Sequence, residues 1–193
     1  MIKLIVGLGN PGRQYEKTRH NAGFWFLEGL GNSFSASWSF ESRFEGEVGN
    51  ILVATDKVML LKPQAFMNLS GRSVGKLCRY YKIEVEEMLV VHDELDFDPG
   101  IVRLKKSGGH AGHNGLRDII ANLGSKDFYR LRVGIGRPPG QQKVADYVLS
   151  EPSSEDKNKI LNSFVPVYSE IKSIVEADFE KVMSKLHDPG ALQ

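Results

Sequence analysis

The stretch IKLIVGLGNPGRQYEKTRHNAG, residues 2–23, constrains the fold more than any other part of the chain. Its apolar, β-branched run from Ile2 to Val6 predicts a buried first strand, and the loop GLGNPG follows directly. Three glycines let that loop turn sharply, and Pro11 prevents a helix from beginning early. A helix is predicted to begin within residues 18–21 and to run through AGFWFLEGL. The loop and the residues after it therefore place Asn10, Tyr15 and His20 around the C-terminal end of a strand, where sites in open α/β sheets collect.

The same loop contains the pattern Gly7-x-Gly9-x-x-Gly12, which also occurs in dinucleotide-binding folds. That interpretation requires an amphipathic helix that begins at the third glycine, whereas RQYEKTRHN is polar and has no core-facing stripe. No strand ending in Asp or Glu follows about 20 residues further on, where the ribose would be bound. A nucleotide-dependent oxidoreductase is thus an alternative that rests on the glycines alone.

Length and composition indicate one domain with a core of ordinary size. The chain has 193 residues, of which 41% are hydrophobic. We expect residues 1–193 to form a single domain on which C-terminal helices at about 153–186 pack. A single cysteine, Cys78, excludes an intramolecular disulfide, and its place on an apolar helical stripe favours a core role over a nucleophile. No stretch approaches the roughly 18 apolar residues of a membrane span, and no leader precedes the first strand, so we expect a cytoplasmic protein that does not bind membranes.

The net charge of +1 conceals an asymmetry along the chain. Residues 101–143 carry nine Lys or Arg against two Asp, whereas the remainder carries sixteen against twenty-two Asp or Glu. Such segregation favours a basic face that meets a polyanion on an otherwise acidic body. Composition alone supports ordinary solvated charge equally well.

The rest of the chain alternates strands with helices, which predicts a three-layer α/β/α sandwich around a twisted mixed β-sheet. Tight turns are expected at Gly49-Asn50 and Asp56-Lys57. The predicted strands are 44–48, 51–54, 57–62, 88–92, 101–105 and 128–136, and the predicted helices are 69–81, 116–123 and 153–186, the last interrupted at Pro166.

His20 and Asp93 are the candidate acid–base pair. Asp93 follows a predicted buried strand, as the His20 loop does, and a carboxylate can fix the tautomer of an imidazole and raise its basicity. Spacing does not show that the two side chains meet. The alternative is a His20 that faces solvent at the start of a helix.

The loop SGGHAGHNG, residues 107–115, contains four glycines and leads into a predicted helix. Exposed backbone and a helix N-terminus suit a phosphate, although a flexible loop with Asn114 as the N-cap explains the pattern equally well. His110-x-x-His113 has the spacing of two metal ligands, but the loop has no Cys, Asp or Glu to complete the shell. We therefore expect no metal.

Phe66-Met67-Asn68 lies between a predicted strand and a predicted helix, where its two apolar residues are either core or the wall of a pocket. Taken singly, Asn10, Asn68 and Asn114 are typical turn or cap residues. The chain has no Gly-x-Ser-x-Gly elbow and no Walker loop, which argues against a serine hydrolase and an NTPase.

Seven stretches together resemble the bacterial peptidyl-tRNA hydrolase family over nearly the whole chain. They are IVGLGNPG with Tyr15, TRHNAG, KPQAFMNLSG, VVHDELD, IVRLKK, GGHAGHNGL and YRLRVGIGRP. The family has a single α/β globule with a mixed, twisted sheet. Its members cleave the ester that joins a peptide to the terminal ribose of tRNA, recycling peptidyl-tRNA from stalled or aborted translation. The resemblance implies a cytoplasmic, monomeric hydrolase that needs neither metal nor cofactor and has peptidyl-tRNA as its partner.

The resemblance also implies roles for the matching residues. His20 would activate water as the general base, Asp93 would hold its basic form, and Asn10 would contact the peptide end of the substrate. The pocket for the peptide and the tRNA 3′ end would be lined by Tyr15, Phe66, Met67, Asn68, His113 and Asn114. The tRNA backbone would be bound by Arg103, Lys105 and Arg132. The family more often has lysine at position 103, and arginine keeps the charge.

A non-catalytic relative is the main alternative within the same superfamily, since some chloroplast members serve in intron splicing. Such a protein would keep the fold and the basic face without needing His20, Asp93 and the three asparagines. Their joint presence favours the enzyme.

Overall fold

The structure, a computed structural model, describes residues 1–187. The strands in this range are β1 (Leu4–Gly7), β2 (Ser39–Glu41), β3 (Gly46–Val53), β4 (Asp56–Pro63), β5 (Met88–Glu94), β6 (Val102–Lys106) and β7 (Tyr129–Gly134). The helices are α1 (Ala22–Ser33), α2 (Ser70–Tyr81), α3 (Asn114–Leu123), α4 (Val144–Val148), α5 (Ser154–Ser169), α6 (Ile171–Val175) and α7 (Phe179–His187). Residues 188–193 of the predicted domain lie outside the described residues.

All seven strands form one mixed sheet in the order β2-β3-β4-β1-β5-β7-β6. Strands β4, β1, β5 and β7 run parallel, whereas β2 and β3 at one edge and β6 at the other are antiparallel to their neighbours. Side chains alternate between the faces, so Ile5 packs with α1, α5, α6 and α7, while Leu4 and Val6 pack with α2 and α3. The predicted α/β/α sandwich around a mixed sheet is confirmed.

The end of β1 lies against the start of α1 without room for side chains. A Cβ atom on Gly7 would lie 2.3 Å from the carbonyl oxygen of Gly23, and one on Gly9 would lie 2.7 Å from the Phe24 ring. Of the three glycines in the loop, only Gly12 has a positive φ, 105°. The expectation that all three permit a sharp turn is thus corrected, because Gly7 and Gly9 permit close packing. Helix α1 begins at Ala22, ten residues after Gly12, so no helix N-terminus follows the third glycine, which argues against the dinucleotide interpretation.

The β3–β4 hairpin differs from the prediction. Strand β3 is continuous through Gly49 and Asn50, which pair with Leu60 and Met59 of β4. Gly49 accommodates the Trp38 ring, 3.0 Å from the position of a Cβ. The turn lies at residues 54–55, and Asp56 pairs with Val53. The turn predicted at Gly49-Asn50 is therefore wrong, because a glycine that makes room for an aromatic ring gives the same sequence signal as a turn. The turn predicted at Asp56-Lys57 exists but lies two residues earlier.

The C-terminal helical segment also differs in detail. Pro166 lies inside α5 and does not interrupt it, and the chain bends at Glu170 instead. The buried side chains Phe164 and Val167 hold the helix against the core on both sides of the proline. Ser153 caps α5, accepting a hydrogen bond from the Asp156 amide at 3.1 Å. The short elements β2 and α4 were missed, since three and five residues are too few for a periodic pattern.

Cys78 is buried on α2, as the apolar stripe predicts. Burial raises the pKa of its thiol to about 11, so the sulfur stays protonated and unreactive. Within residues 1–187, none of the helices combines the length and apolar character that a bilayer span requires.

Candidate active site

His20 and Asp93 meet at the C-terminal ends of two adjacent strands. His20 lies in a 3₁₀ turn at Arg19–Asn21, and Asp93 lies near the end of β5, the parallel neighbour of β1. The Nδ1 atom of His20 is 2.9 Å from Oδ2 and 3.0 Å from Oδ1 of Asp93. Both side chains are almost fully buried. His20 and Asp93, whose contact could not be inferred from their spacing in the sequence, are thus hydrogen-bonded.

Arg19, which sequence reasoning missed, anchors the turn that carries His20. Its guanidinium donates to Ser150 Oγ at 2.6 Å and lies 4.0 Å from the centre of the Tyr147 ring. The Arg19 amide also donates to the Ser150 carbonyl at 3.1 Å. The segment after α4 therefore fixes the backbone from which His20 reaches Asp93.

Asp93 holds a second imidazole as well. The Nε2 atom of His113 lies 2.8 Å from Asp93 Oδ1, and its Nδ1 accepts a hydrogen bond from the Leu116 amide at 3.3 Å. Because Nδ1 accepts, the proton of neutral His113 is on Nε2, which donates to the carboxylate. His113 thus caps α3, and the alternative in which Asn114 is the N-cap is wrong.

The same reasoning gives the tautomer of His20. An ionised Asp93 can only accept hydrogen bonds, so Nδ1 of His20 donates to it. In neutral His20 the lone pair is then on Nε2, which is the atom available to take a proton. The carboxylate therefore keeps His20 in the tautomer that a general base requires.

The charges of the pair shift their pKa values in opposite directions. Burial by itself lowers the pKa of His20, but the charge and hydrogen bond of Asp93 outweigh it, so the pKa is raised above 6.5. Burial by itself raises the pKa of Asp93, but His20 and His113 lower it far below its usual range. Asp93 is therefore ionised at neutral pH, and its charge favours the protonated form of His20.

A third histidine lies beside the cluster and was not predicted. Nδ1 of His92 donates to the Asp93 carbonyl at 2.8 Å, and its ring lies 5.2 Å from that of His113. Burial and the neighbouring His113 lower the pKa of His92 to about 3. His92 therefore stays neutral beside the pair.

Asn10 is held by Asn21, another residue that sequence reasoning missed. Asn21 Oδ1 accepts from the Asn10 amide at 2.9 Å, and Asn21 Nδ2 donates to the Asn10 carbonyl at 3.0 Å. The side-chain oxygen of Asn10 accepts from the Met67 amide at 2.7 Å. These bonds leave the Nδ2 donor of Asn10 for a ligand. The stretch TRHNAG contains Asn21, but no spacing rule distinguishes it from a helix cap.

The predicted pocket residues fall into two groups. Tyr15 and Phe66 contact each other edge to face, with ring centroids 6.2 Å apart, and Phe66 is 55% exposed. Met67 is buried, and its sulfur lies 2.6 Å from where a Cβ on Gly115 would be. The Phe66-Met67 pair is therefore one exposed wall residue and one packed residue. Asn68 and Asn114 are both exposed.

The basic residues share one face of the sheet near its C-terminal edge. Arg103 pairs in register with Arg132, and Lys105 pairs with Arg130. A cavity of about 550 Å³ is lined by His20, Asp93 and Asn114 together with Lys105, Arg130 and Arg132. Arg103 differs from the other two predicted tRNA contacts, since its guanidinium donates to the carbonyls of Val102 and Leu186 at 3.0 and 3.4 Å. Lys105 and Arg132 therefore face the cavity of His20.

His20, Asp93 and His113 are the one group within residues 1–187 whose donor atoms are close enough to hold a metal. The two ring nitrogens that face the carboxylate carry protons, as the hydrogen bonds require. A metal on His113 Nε2 would move its proton to Nδ1, against the Leu116 amide. His110 is not part of the group, because its Nδ1 accepts from the Gly112 amide. The residues do not fit a metal ion.

The mixed sheet and this cavity define the class of protein: a hydrolytic α/β enzyme with a buried histidine–carboxylate pair beside a basic surface. A sequence profile of the family described as Peptidyl-tRNA hydrolase matches residues 4–192. The chain is therefore a member of the peptidyl-tRNA hydrolase family, as the seven stretches indicated.

Individual relatives agree with this assignment over nearly the full length. The chain is 52% identical over 187 residues to the peptidyl-tRNA hydrolase of Dichelobacter nodosus, covering 97% of this chain and 99% of that protein. It is 53% identical to that of Methylococcus capsulatus, covering 97% and 100%. The crystal structure of peptidyl-tRNA hydrolase from Acinetobacter baumannii aligns with a TM-score of 0.91 at 42% identity, covering 95% of this chain and 93% of that chain.

Proposed function

We propose that the protein hydrolyses the ester bond between a peptide and tRNA, with His20 as the general base and Asp93 as its support. The observation that carries this proposal is a single cavity lined by both the His20–Asp93 pair and the basic residues Lys105 and Arg132. Family membership gives the substrate class. A non-catalytic RNA-binding protein would have no use for a buried pair whose tautomers are fixed.

In this mechanism, Nε2 of His20 takes a proton from water, and the resulting hydroxide forms a bond to the ester carbonyl carbon. The carbonyl electrons move to oxygen, and an asparagine amide donates to that oxyanion. Asn114 lines the same cavity, and Asn10 has a free Nδ2 donor. When the intermediate collapses, the bond to the ribose oxygen breaks and His20 returns its proton to that oxygen. The products are tRNA with a free terminal hydroxyl and a peptide carboxylic acid, which releases its proton to solvent.

Asn10 would bind the peptide end of the substrate. An amide offers both a donor and an acceptor to a peptide backbone, and the Asn10 acceptor is already bound to the Met67 amide. Its remaining donor would bind a carbonyl of the acyl group, which a blocked aminoacyl-tRNA has and a free one lacks. Tyr15 and Phe66, in contact with each other, would form an exposed apolar wall for the peptide, with Met67, Asn68 and His113 beside the tRNA 3′ end.

We further propose that residues 1–193 work as one domain and as a monomer. The protein would act in the cytoplasm, where peptidyl-tRNA is produced.

The proposed activity is tested by incubating the protein with N-acetylaminoacyl-tRNA and measuring release of the N-acetylamino acid. We expect turnover of this substrate and much slower release from unblocked aminoacyl-tRNA. A protein that binds tRNA but releases no amino acid from the blocked substrate would be the non-catalytic relative instead.

Chelation is expected to leave turnover unchanged, because the ring nitrogens of His20 and His113 that face Asp93 hold protons. The measurement is the rate after dialysis against a chelator, with magnesium restored to keep the tRNA folded. Activity that is lost on dialysis and returns only with zinc would contradict the assigned tautomers.

Lys105→Ala and Arg132→Ala are each expected to raise KM with little change in kcat, since they remove binding shared by the substrate and the transition state. The log–log salt dependence of tRNA binding should flatten by about 0.7 to 0.9 for each phosphate that the variant no longer binds. A substrate with only a short 3′ fragment should respond little to either change. Arg79→Ala, an exposed arginine on α2, is the matched control and should leave KM unchanged. Equal losses on both substrates would show that Lys105 and Arg132 support the pocket and do not bind the tRNA body.

A further inference from the structure

Arg130 is a charged residue that is only 3% exposed. It lies on β7, on the same sheet face as Arg132, and its register partners are Val90 of β5 and Lys105 of β6. Its two terminal nitrogens donate to the carbonyls of Gly109 and Gly108, at 2.6 and 2.5 Å. The guanidinium also lies 4.7 Å from the centre of the Phe128 ring. Both terminal nitrogens of the guanidinium are therefore bonded to backbone carbonyls of the glycine-rich loop.

The loop depends on such a partner, because it has no regular backbone pairing of its own. Ser107, Gly108, Ala111 and Gly112 all have positive φ, between 48° and 115°. At its start, the Ser107 amide donates to the Phe128 carbonyl at 3.0 Å. At its end, His113 bonds to Asp93 and caps α3. Between these ends, Arg130 donates to the carbonyls of Gly108, which is half-buried, and Gly109, which is exposed.

Arg132, two residues further along β7, is in a different situation. Its guanidinium lies 4.7 Å from the Phe97 ring, and its side chain is less deeply buried than that of Arg130. Both arginines line the cavity, and neither Nε has a hydrogen-bond partner within residues 1–187, but the terminal nitrogens of Arg130 are bonded to the loop carbonyls. Two arginines of one strand face are thus used differently. Arg130 holds protein backbone, and Arg132 is available to a phosphate.

We propose that Arg130 is a positioning residue of the hydrolase, which sets His113 and Asn114 by holding the loop that leads to them. This inference rests on the proposed function and extends it to a residue that lines the cavity but uses its terminal nitrogens to hold the loop. Arginine suits the role because its planar fork spans two adjacent carbonyls, which a single ammonium cannot do with the same geometry. The loss of Arg130 should therefore affect the reaction more than the binding of tRNA.

The test compares Arg130→Ala and Arg130→Lys with Arg132→Ala on full-length N-acetylaminoacyl-tRNA and on a short 3′ fragment. Arg130→Ala is expected to lower kcat by about 10- to 100-fold on both substrates, the cost of misplacing a site by about 1 Å. Its tRNA affinity and salt dependence should match the wild type, and Arg130→Lys should recover part of the kcat. Arg132→Ala should instead raise KM on full-length tRNA alone. Guanidinium ion at millimolar concentration should partly restore kcat of Arg130→Ala, and methylammonium should not.

Amide hydrogen exchange without substrate separates this inference from the proposed function. In Arg130→Ala, residues 108–113 should exchange faster than in the wild type while β5 and β7 stay protected, whereas Arg132→Ala should exchange like the wild type. If the Arg130 variants instead lost affinity for full-length tRNA alone, with a flatter salt dependence of binding, Arg130 would be a phosphate ligand and the inference would be overturned. Unchanged exchange of the loop in both Arg130 variants would overturn it as well, whether or not the wild type hydrolyses the ester.

Discussion

His20→Ala is expected to lower kcat by about two to four orders of magnitude, the range for removing a general base. Within the buried pair, Nε2 of His20 is the atom that can take a proton from water, because Nδ1 donates to Asp93 and the lone pair is on Nε2. Without the imidazole, Asp93 and His113 still hold each other, so the loop and α3 should stay in place. The measurement is the single-turnover release of an N-acetylamino acid from tRNA.

Binding of uncharged tRNA provides the control for this variant. Its affinity should change little, because Lys105 and Arg132 are untouched. Lys181→Ala, at an exposed lysine of α7 that does not line the cavity, is the control substitution. It should keep kcat close to that of the wild type. A His20→Ala enzyme with nearly normal turnover would show that another group activates the water.

Asp93→Asn is expected to lower kcat by about 10²- to 10³-fold, a smaller loss of the same kind as that of His20→Ala, because the carboxylate sets the tautomer and orientation of the base. An asparagine offers one acceptor and one donor, whereas both His20 and His113 donate to Asp93. Its amide donor must face one of the two rings. Facing His20, it would place the His20 proton on Nε2 and remove the base. If the amide donor faces His113, the His113 proton would move to Nδ1, and the side chain could no longer accept the Leu116 amide that caps α3.

The pH dependence distinguishes this effect from simple misfolding. The proposed mechanism requires neutral His20, so kcat/KM should rise with pH through the His20 pKa, which Asp93 raises above 6.5. In Asp93→Asn the charge is gone while burial still lowers the pKa, so the rise should occur at lower pH. Asp146→Asn, an exposed acid on α4, is the matched control and should leave the profile in place. A profile that does not move in Asp93→Asn would mean that His20 does not titrate against Asp93.

Much of the site could be predicted because it lies where strands end. β1 and β5 were recognisable from apolar runs, and parallel neighbours bring their C-terminal ends together, so His20 and Asp93 were sound candidates before their hydrogen bond was known. Arg103 and Lys105 alternate along a strand, which places them on one face. Their pairing with Arg132 and Arg130 in register could not be predicted, because register depends on the partner strand.

The unpredicted features depend on interactions between distant parts of the chain. His113 was linked with His110 by spacing, but its partners are Asp93 and the Leu116 amide. Asn21 and Arg19 lie in a recognised stretch, yet their roles come from Asn10 and Ser150. The sequence does not distinguish Arg130 from the other charged residues of the basic segment, because its burial and its bonds to Gly108 and Gly109 depend on the fold. Sequence patterns indicate which face of a strand or helix a residue lies on and where a strand ends. They do not indicate which polar partner a side chain bonds to.

The central claim is that His20, held in one tautomer by Asp93, is the base of the reaction. Its most direct test is an NMR titration of the His20 imidazole in the free enzyme, compared with the pH profile of kcat/KM for the same preparation. The pKa from NMR and the pKa of the profile should coincide above 6.5, with Nε2 unprotonated on the alkaline side, and both should fall together in Asp93→Asn. A His20 pKa that shifts in Asp93→Asn while the kinetic profile stays in place would contradict the account.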